Sequence, residues 1–291
     1  MQQGNGSVVV NYGARVLVET EAGAMLRCAV RGRRMRPVCG DVVEWQYADS
    51  DTGVVTAIVE RARVLERADG RGGSAAIASH LDRVVVVVAP EPAPEPVLVD
   101  RYLVMCERGG VEAALLLNKA DRADAGFRAR FDEYAAAGYP VWTVSALERV
   151  GLDALRAELE GRTTLLVGQS GVGKSSLLNA LVPDLDLQTT VLSVGSNEGR
   201  HTTTATTRYR LPGGGALVDS PGVREFWLPE MPARELIDGF REIARAGVAC
   251  RFRDCVHADE PGCAVTAAVS GGGISKRRYD SYRQLLRTIA A

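Results

Sequence analysis

The order of patterns along the chain specifies an α/β protein in three parts. These are an N-terminal five-stranded β-barrel of OB type, a central doubly wound parallel sheet and a C-terminal helical subdomain. Three observations carry this reading: short strands between turns up to about residue 65, strands alternating with helices from Leu81, and three cysteines and a histidine gathered between residues 250 and 263. The chain has 291 residues, and at roughly 150 residues per domain this length suits about two cores.

The barrel is read from strands Ser7–Val10, Arg15–Glu19, Met25–Val30, Asp41–Gln46 and Val54–Val64, with Gly and polar turns between them. Five short strands without a helical period suit a small closed barrel. Residues 67–80 are rich in Gly, Ala and Ser with no apolar period, and are expected to form a mobile linker. The expected divisions are a barrel over 1–68, a linker over 69–80, a nucleotide domain over 81–231 and a metal-binding subdomain over 232–291.

From Leu81 the grammar changes. Strand Leu81–Ala89, helix Val97–Arg108, strand Glu112–Leu117, helix Phe127–Ala137, strand Val141–Val144, helix Leu152–Leu159 and strand Thr163–Val167 follow in turn, and a helix begins at Lys174. Such alternation builds a parallel sheet covered by helices. Strands Thr207–Leu211 and Gly215–Asp219 flank Pro212-Gly213-Gly214, a hairpin signal, and the chain beyond Ala233 reads as helical.

Lys+Arg 35 against Asp+Glu 36 leaves a charge of -1, so no global basicity points to nucleic acid. The N-terminus lacks a signal-peptide pattern, and the apolar run Val84–Val88 is too short to span a bilayer. A cytoplasmic protein without membrane attachment is expected. Cys28, Cys39 and Cys106 lie scattered in apolar surroundings, as reduced core thiols would.

Gly168-Gln169-Ser170-Gly171-Val172-Gly173-Lys174-Ser175, followed by Ser176, matches G-x-x-x-x-G-K-[ST] between a strand and a helix. Its glycines let backbone N–H groups and the helix N-terminus meet phosphate. Lys174 is expected on the β- and γ-phosphates and Ser175 on Mg²⁺. Asn118-Lys119-Ala120-Asp121 supplies the base choice. The Asp121 carboxylate accepts from guanine N1–H and N2, donors that adenine lacks there, so the site selects GTP. Lys119 is expected to lay its stem over the base, Asn118 to tie this loop to the phosphate loop, and the Ala146 N–H, after Ser145, to meet guanine O6. Asp219-Ser220-Pro221-Gly222 gives D-x-x-G, with Asp219 toward Mg²⁺ and the Gly222 N–H toward the γ-phosphate. Between these lies Gly199–Thr204, a polar segment suited to a switch, from which Thr203 is expected to complete the Mg²⁺ shell. Base-reading motifs therefore precede the phosphate loop, the reverse of the Ras-like order. The fold expected is a circularly permuted P-loop GTPase domain.

Cys250-x4-Cys255-x-His257-x5-Cys263 offers three thiolates and an imidazole, a closed tetrahedral set for one structural Zn²⁺. Arg31–Arg36 and Lys276-Arg277-Arg278 are basic clusters expected to meet rRNA.

Taken together, the barrel, the permuted N-K-A-D and G-Q-S-G-V-G-K-S-S, the H-T-T-T switch, D-S-P-G-V-R-E-F and C-x4-C-x-H-x5-C resemble the ribosome small-subunit-dependent GTPase A family (RsgA, also called YjeQ). The resemblance covers almost the whole chain. It implies a late maturation factor that binds the small ribosomal subunit and leaves on GTP hydrolysis; rRNA contact and a monomeric state are expected beside it. Val223 stands where Ras-like enzymes place the water-orienting Gln, and the family shares an aliphatic residue there. His201 is the expected catalytic replacement, with Thr203 and Lys174. Two other readings stay open: an RNA-binding scaffold using GTP as a structural cofactor, and a GTPase metallochaperone.

Overall fold

A computed structural model of the chain describes residues 3–32, 35–182, 185, 188, 205–220, 226–258 and 260–289. The expectations for His201, Thr203, Gly222 and Val223, and those for Arg33 and Arg34, lie outside these residues.

Strands β1 (Gln3–Asn11), β2 (Arg15–Thr20), β3 (Met25–Val30), β4 (Val42–Tyr47) and β5 (Thr52–Ile58) pair in the cycle β1-β2-β3-β5-β4-β1. Only the β3–β5 pair is parallel. Period-two alternation sends Val8, Val16, Val18, Leu26, Cys28, Val43, Trp45 and Val55 inward to one core. Closure brings β1 hard against β2 at Gly6, where a Cβ would lie 2.5 Å from Val18 and 2.6 Å from the Glu19 carbonyl oxygen. Glycine is what admits this crossing. Burial pushes the thiols of Cys28 and Cys39 up to about 11 and about 12, so both are protonated packing groups.

The expected linker is instead largely a hairpin, β6 (Leu65–Ala68) with β7 (Ser74–Ala78). Its composition disguised it, because its strands are short and Ala-rich, and only Leu65, Ile77 and Ala78 are buried. Beyond it the Ser79 hydroxyl donates to Asp41 Oδ1 at 2.6 Å, and Arg61 pairs with the same carboxylate at 2.7 Å. Asp41 thereby fastens the barrel to the chain that leads away from it.

The central sheet contains β8 (Arg83–Val88), β9 (Glu112–Leu117), β10 (Val141–Thr143), β11 (Thr163–Val167), β12 (Thr207–Arg210) and β13 (Ala216–Asp219), in the order β10-β9-β8-β11-β13-β12. All pairs are parallel except β12–β13, the hairpin. Helices α1 (Pro96–Gly109), α2 (Asp132–Ala137), α3 (Leu152–Leu159) and α4 (Lys174–Leu181) are its crossovers. Every residue of β8 is buried, the signature of a strand covered on both faces. Strand β12 also pairs with β1 of the barrel, Val10 opposite Thr207, so barrel and sheet are hydrogen-bonded into one array.

Helices α5 (Ala233–Asp238), α6 (Arg241–Gly247), α7 (Ala264–Ser270) and α8 (Lys276–Ile289) form the C-terminal subdomain, whose Phe240, Tyr282 and Leu285 share a core with Tyr102 and Leu103 of α1. Here the structure corrects one expectation. Arg277 and Arg278 are not an exposed basic cluster. Arg278 is 1% exposed and bonds Asp100 at 2.6 Å and Glu242 at 2.7 and 3.0 Å. Arg277 reaches Asp100 at 3.0 Å and also pairs with Glu133. Burial disfavours the Arg278 charge, and the Asp100 and Glu242 carboxylates together more than offset this, holding the guanidinium ionised. Carboxylates from α1, α2 and α6 are thus what these arginines meet, with Lys276 alone exposed beside Asp280.

Candidate functional site

Four motif-bearing loops leave the C-terminal ends of β9, β10, β11 and β13, the edge at which parallel sheets gather ligands. The phosphate loop follows β11. Gly168 approaches β8 so closely that a Cβ would lie 2.2 Å from the Val87 carbonyl oxygen, and Gly173 has φ +96° with room for no Cβ beside Asn118 Nδ2 (2.4 Å). Lys174 opens α4 and donates from Nζ to the carbonyls of Gly168 and Gln169 at 2.7 and 2.8 Å, folded across its own loop. A cleft of about 370 Å³ lies here, lined by Gly168, Ser170, Gly171, Gly173, Lys174, Ser175, Ser176, Asp219 and Ser220.

Asp219 ends β13 at the floor of this cleft. Burial raises its carboxyl above the usual range and Lys174 opposes the rise. The neighbouring Ser220 hydroxyl lies 3.1 Å from Thr206 Oγ1, joining the ends of β12 and β13.

Asn118 is the hub of the site. It is 1% exposed. Its Nδ2 donates to the Val172 carbonyl at 2.9 Å and its Oδ1 accepts from the Ala146 N–H at 3.1 Å. One amide therefore ties the loop after β9 to the phosphate loop and to the loop after β10. The first tie is the one read from sequence; the second engages the Ala146 N–H that was expected to face guanine. Lys119, in the left-handed region at φ +58°, reaches the Glu91 and Gly171 carbonyls from Nζ, each at 2.7 Å. The Ser145 hydroxyl donates to Asp121 Oδ1 at 2.5 Å. That bond, with the charges of Arg122 and Lys119 assisting, holds the Asp121 carboxyl below its usual value, ready as an acceptor.

Sequence reasoning missed Glu95. Its carboxylate accepts from Gln169 Nε2 at 2.9 Å and its N–H donates to Gln169 Oε1 at 3.3 Å, bracing the phosphate loop on the start of α1. Seventy-four residues separate the two, and no local pattern announces the pair.

A second centre lies in the C-terminal subdomain. Cys250, Cys255, His257 and Cys263 bring one ligand atom each within 4.8 Å of one another, and all six cysteines of the chain are free of disulfides. Cys250 Sγ lies 3.8 Å from Cys263 Sγ, and both sulfurs lie 3.5 Å from His257 Nδ1. Tetrahedral Zn²⁺, with bonds of about 2.3 Å to sulfur and 2.0–2.1 Å to nitrogen, requires edges of about 3.8 and 3.5 Å. The donor set fits that metal in number and chemistry, and the three edges among Cys250, His257 and Cys263 fit it in spacing. Gly247 gives the imidazole its place, since a Cβ there would lie 2.8 Å from Nε2. The loop is braced by Glu260, which accepts from the N–H groups of Val256 and Ala258 at 2.8 Å, and by Tyr282 and Tyr279 of α8, which donate to the Val256 and His257 carbonyls.

Comparisons with known proteins agree with this arrangement. A family model described as RsgA GTPase matches residues 58–229. The chain is 42% identical over 288 residues to the small ribosomal subunit biogenesis GTPase RsgA of Pseudomonas aeruginosa, covering 98% of this chain and 85% of that one. It is 44% identical to the protein of the same name from Chromohalobacter salexigens, over 97% of this chain and 85% of that one. Among solved structures, YjeQ from Thermotoga maritima superposes with a TM-score of 0.77 at 28% identity, covering 100% of this chain and 99% of that one. YloQ, described as a circularly permuted GTPase, gives 0.74 at 26% identity, over 99% and 96%. The permuted order of motifs, the barrel joined to the sheet and the family match lead to one conclusion: this chain belongs to the RsgA GTPase family.

Proposed function

We propose that the chain is a Mg²⁺-dependent GTPase that binds the small ribosomal subunit through its rRNA, is stimulated by it, acts late in its maturation and leaves on hydrolysis. The observation that carries this is the Asn118 hub, which locks a guanine-reading loop to a phosphate loop with Asp219 at the cleft floor. The names of the relatives supply the ribosomal partner.

In this reading Asp121 accepts from the guanine edge, Lys119 covers the base, and Ser145 and Ala146 complete its pocket. Residues Gly168 to Ser176 wrap the phosphates, with Lys174 leaving its loop carbonyls for phosphate oxygens. Ser175, Asp219 and Thr203 would hold Mg²⁺, which when bound neutralises charge on the β- and γ-phosphates. The Gly222 N–H senses the γ-phosphate, and His201 takes the water-positioning role that Val223 cannot perform. Cys250, Cys255, His257 and Cys263 would hold one structural Zn²⁺, knotting a subdomain too small to fold on its own core. The barrel over 1–68, the nucleotide domain over 81–231 and the metal-bearing subdomain over 232–291 act as its units. Among the described residues no helix is long and apolar enough to cross a membrane, and we place the working protein in the cytoplasm as a monomer.

GTP turnover measured with and without purified small subunits tests the proposal. Strong stimulation is expected for wild type, on the scale of 10³–10⁵ reached when a partner completes a GTPase site. The His201→Ala variant should keep GTP and subunit binding and lose most of that stimulation. Equal turnover with and without subunits in wild type would defeat the ribosomal reading. Full stimulation of His201→Ala would leave the histidine a structural role.

A further inference from the structure

A second cleft, of about 510 Å³, adjoins the phosphate cleft and shares Ser170 with it. Its walls include Leu98 and Arg101 of α1, Gln169 of the phosphate loop, Phe226 and Trp227. Trp227 is 50% exposed, whereas Trp45 is packed in the barrel core. The Arg101 guanidinium carbon lies 4.1 Å from the Trp227 ring centroid, so the cation backs the indole. Arg101 donates to the Phe226 carbonyl at 3.4 Å. The Glu95 carboxylate also lines the cleft; it is hydrogen-bonded to Gln169 Nε2, and its charge supports that of Arg101 without a direct bond to it.

An exposed indole backed by a cation that forms no salt bridge among the described residues has the chemistry of a nucleotide platform. Any base offers a π-face to the ring, and the guanidinium meets the adjoining phosphate. A protein segment would find only modest apolar surface here, and the charge would favour an acidic one. We propose that this cleft takes an unpaired base of single-stranded RNA, stacked on Trp227 with its phosphate on Arg101. The inference rests on the ribosomal reading for the source of the RNA, not for the chemistry. An occupant would touch Ser170 and Gln169, so docking would bear directly on the phosphate loop.

The test is a fluorescence titration of the full-length protein with a nine-nucleotide single-stranded RNA. Trp45 is buried, and Trp142 is covered by Arg83, whose guanidinium carbon lies 5.1 Å from its ring. Stacking on Trp227 should therefore dominate the quenching, and Trp227→Phe should remove most of it. Affinity should fall roughly tenfold in Trp227→Leu, the scale expected for one stacked base, and much less in Trp227→Phe. Unchanged GTP affinity in both variants would show that they are folded. Leucine binding RNA as tightly as wild type would overturn the proposal in favour of plain apolar contact. Absence of quenching in wild type would also overturn it. No ribosome enters the titration, so its failure is distinct from failure of subunit stimulation.

Discussion

Replacing Arg278 with methionine strips the cation from a buried network while nearly keeping its volume. In the native protein this guanidinium holds Asp100, which is 0% exposed, and forks onto Glu242, while stacking over Phe240 at 4.6 Å. After the change Asp100 keeps Arg277 at 3.0 Å, but Glu242 loses both of its bonds at a mostly buried site. Removing one partner from a buried ion pair costs about 3–5 kcal/mol, and the surviving Arg277 contact points to the lower end. With a urea slope near 3 kcal/mol per molar, about 3 kcal/mol lowers the unfolding midpoint by about 1 M. Circular dichroism across a urea series reads this directly. Adding Glu242→Gln should recover part of the loss by removing the stranded charge. Lys276→Met breaks only an exposed pair and should cost about 0.3–0.5 kcal/mol. An unchanged midpoint in Arg278→Met, with RNA affinity lost instead, would refute this reasoning and return the residue to a binding surface.

Gly173→Ala places a methyl group against the Asn118 amide at a positive φ, so GTP affinity should drop at least tenfold in a titration with a fluorescent GTP analogue. Asp121→Asn replaces the proposed guanine acceptor; GTP binding should be largely lost and xanthosine nucleotide binding gained, measured by competition between the two. Metal analysis of fresh protein should find about one zinc per chain, and Cys255→Ser should lose it while GTP binding persists. Zinc-free wild type would end that reading.

How much of this was legible in the sequence follows from the range of the interactions. Strands β8, β9 and β11, and the loops that carry Gly168–Ser176 and Asn118–Asp121 at their ends, were all readable, because period, glycine placement and motif spacing are local consequences of backbone geometry. The four-ligand cluster was readable for a similar reason, since its residues crowd into one loop. The barrel's strand count was plain, but not its junction with the sheet, a single β1–β12 register set by packing. The hairpin over residues 65–78 was misread because Ala, Ser and Gly carry little strand signal until neighbours bury one face.

Sequence by itself thus determined most of the elements, the permuted order of the motifs and which residues stand at each strand end. Tertiary structure alone decided which charges are sites and which are mortar. Arg277 and Arg278 look like an RNA-binding run until Asp100, more than 170 residues earlier in the chain, is brought beneath them. Glu95 looks like part of a proline-rich turn until Gln169 meets it. A charge's role depends on its partners and its access to water, and both are fixed by contacts between residues far apart in the chain.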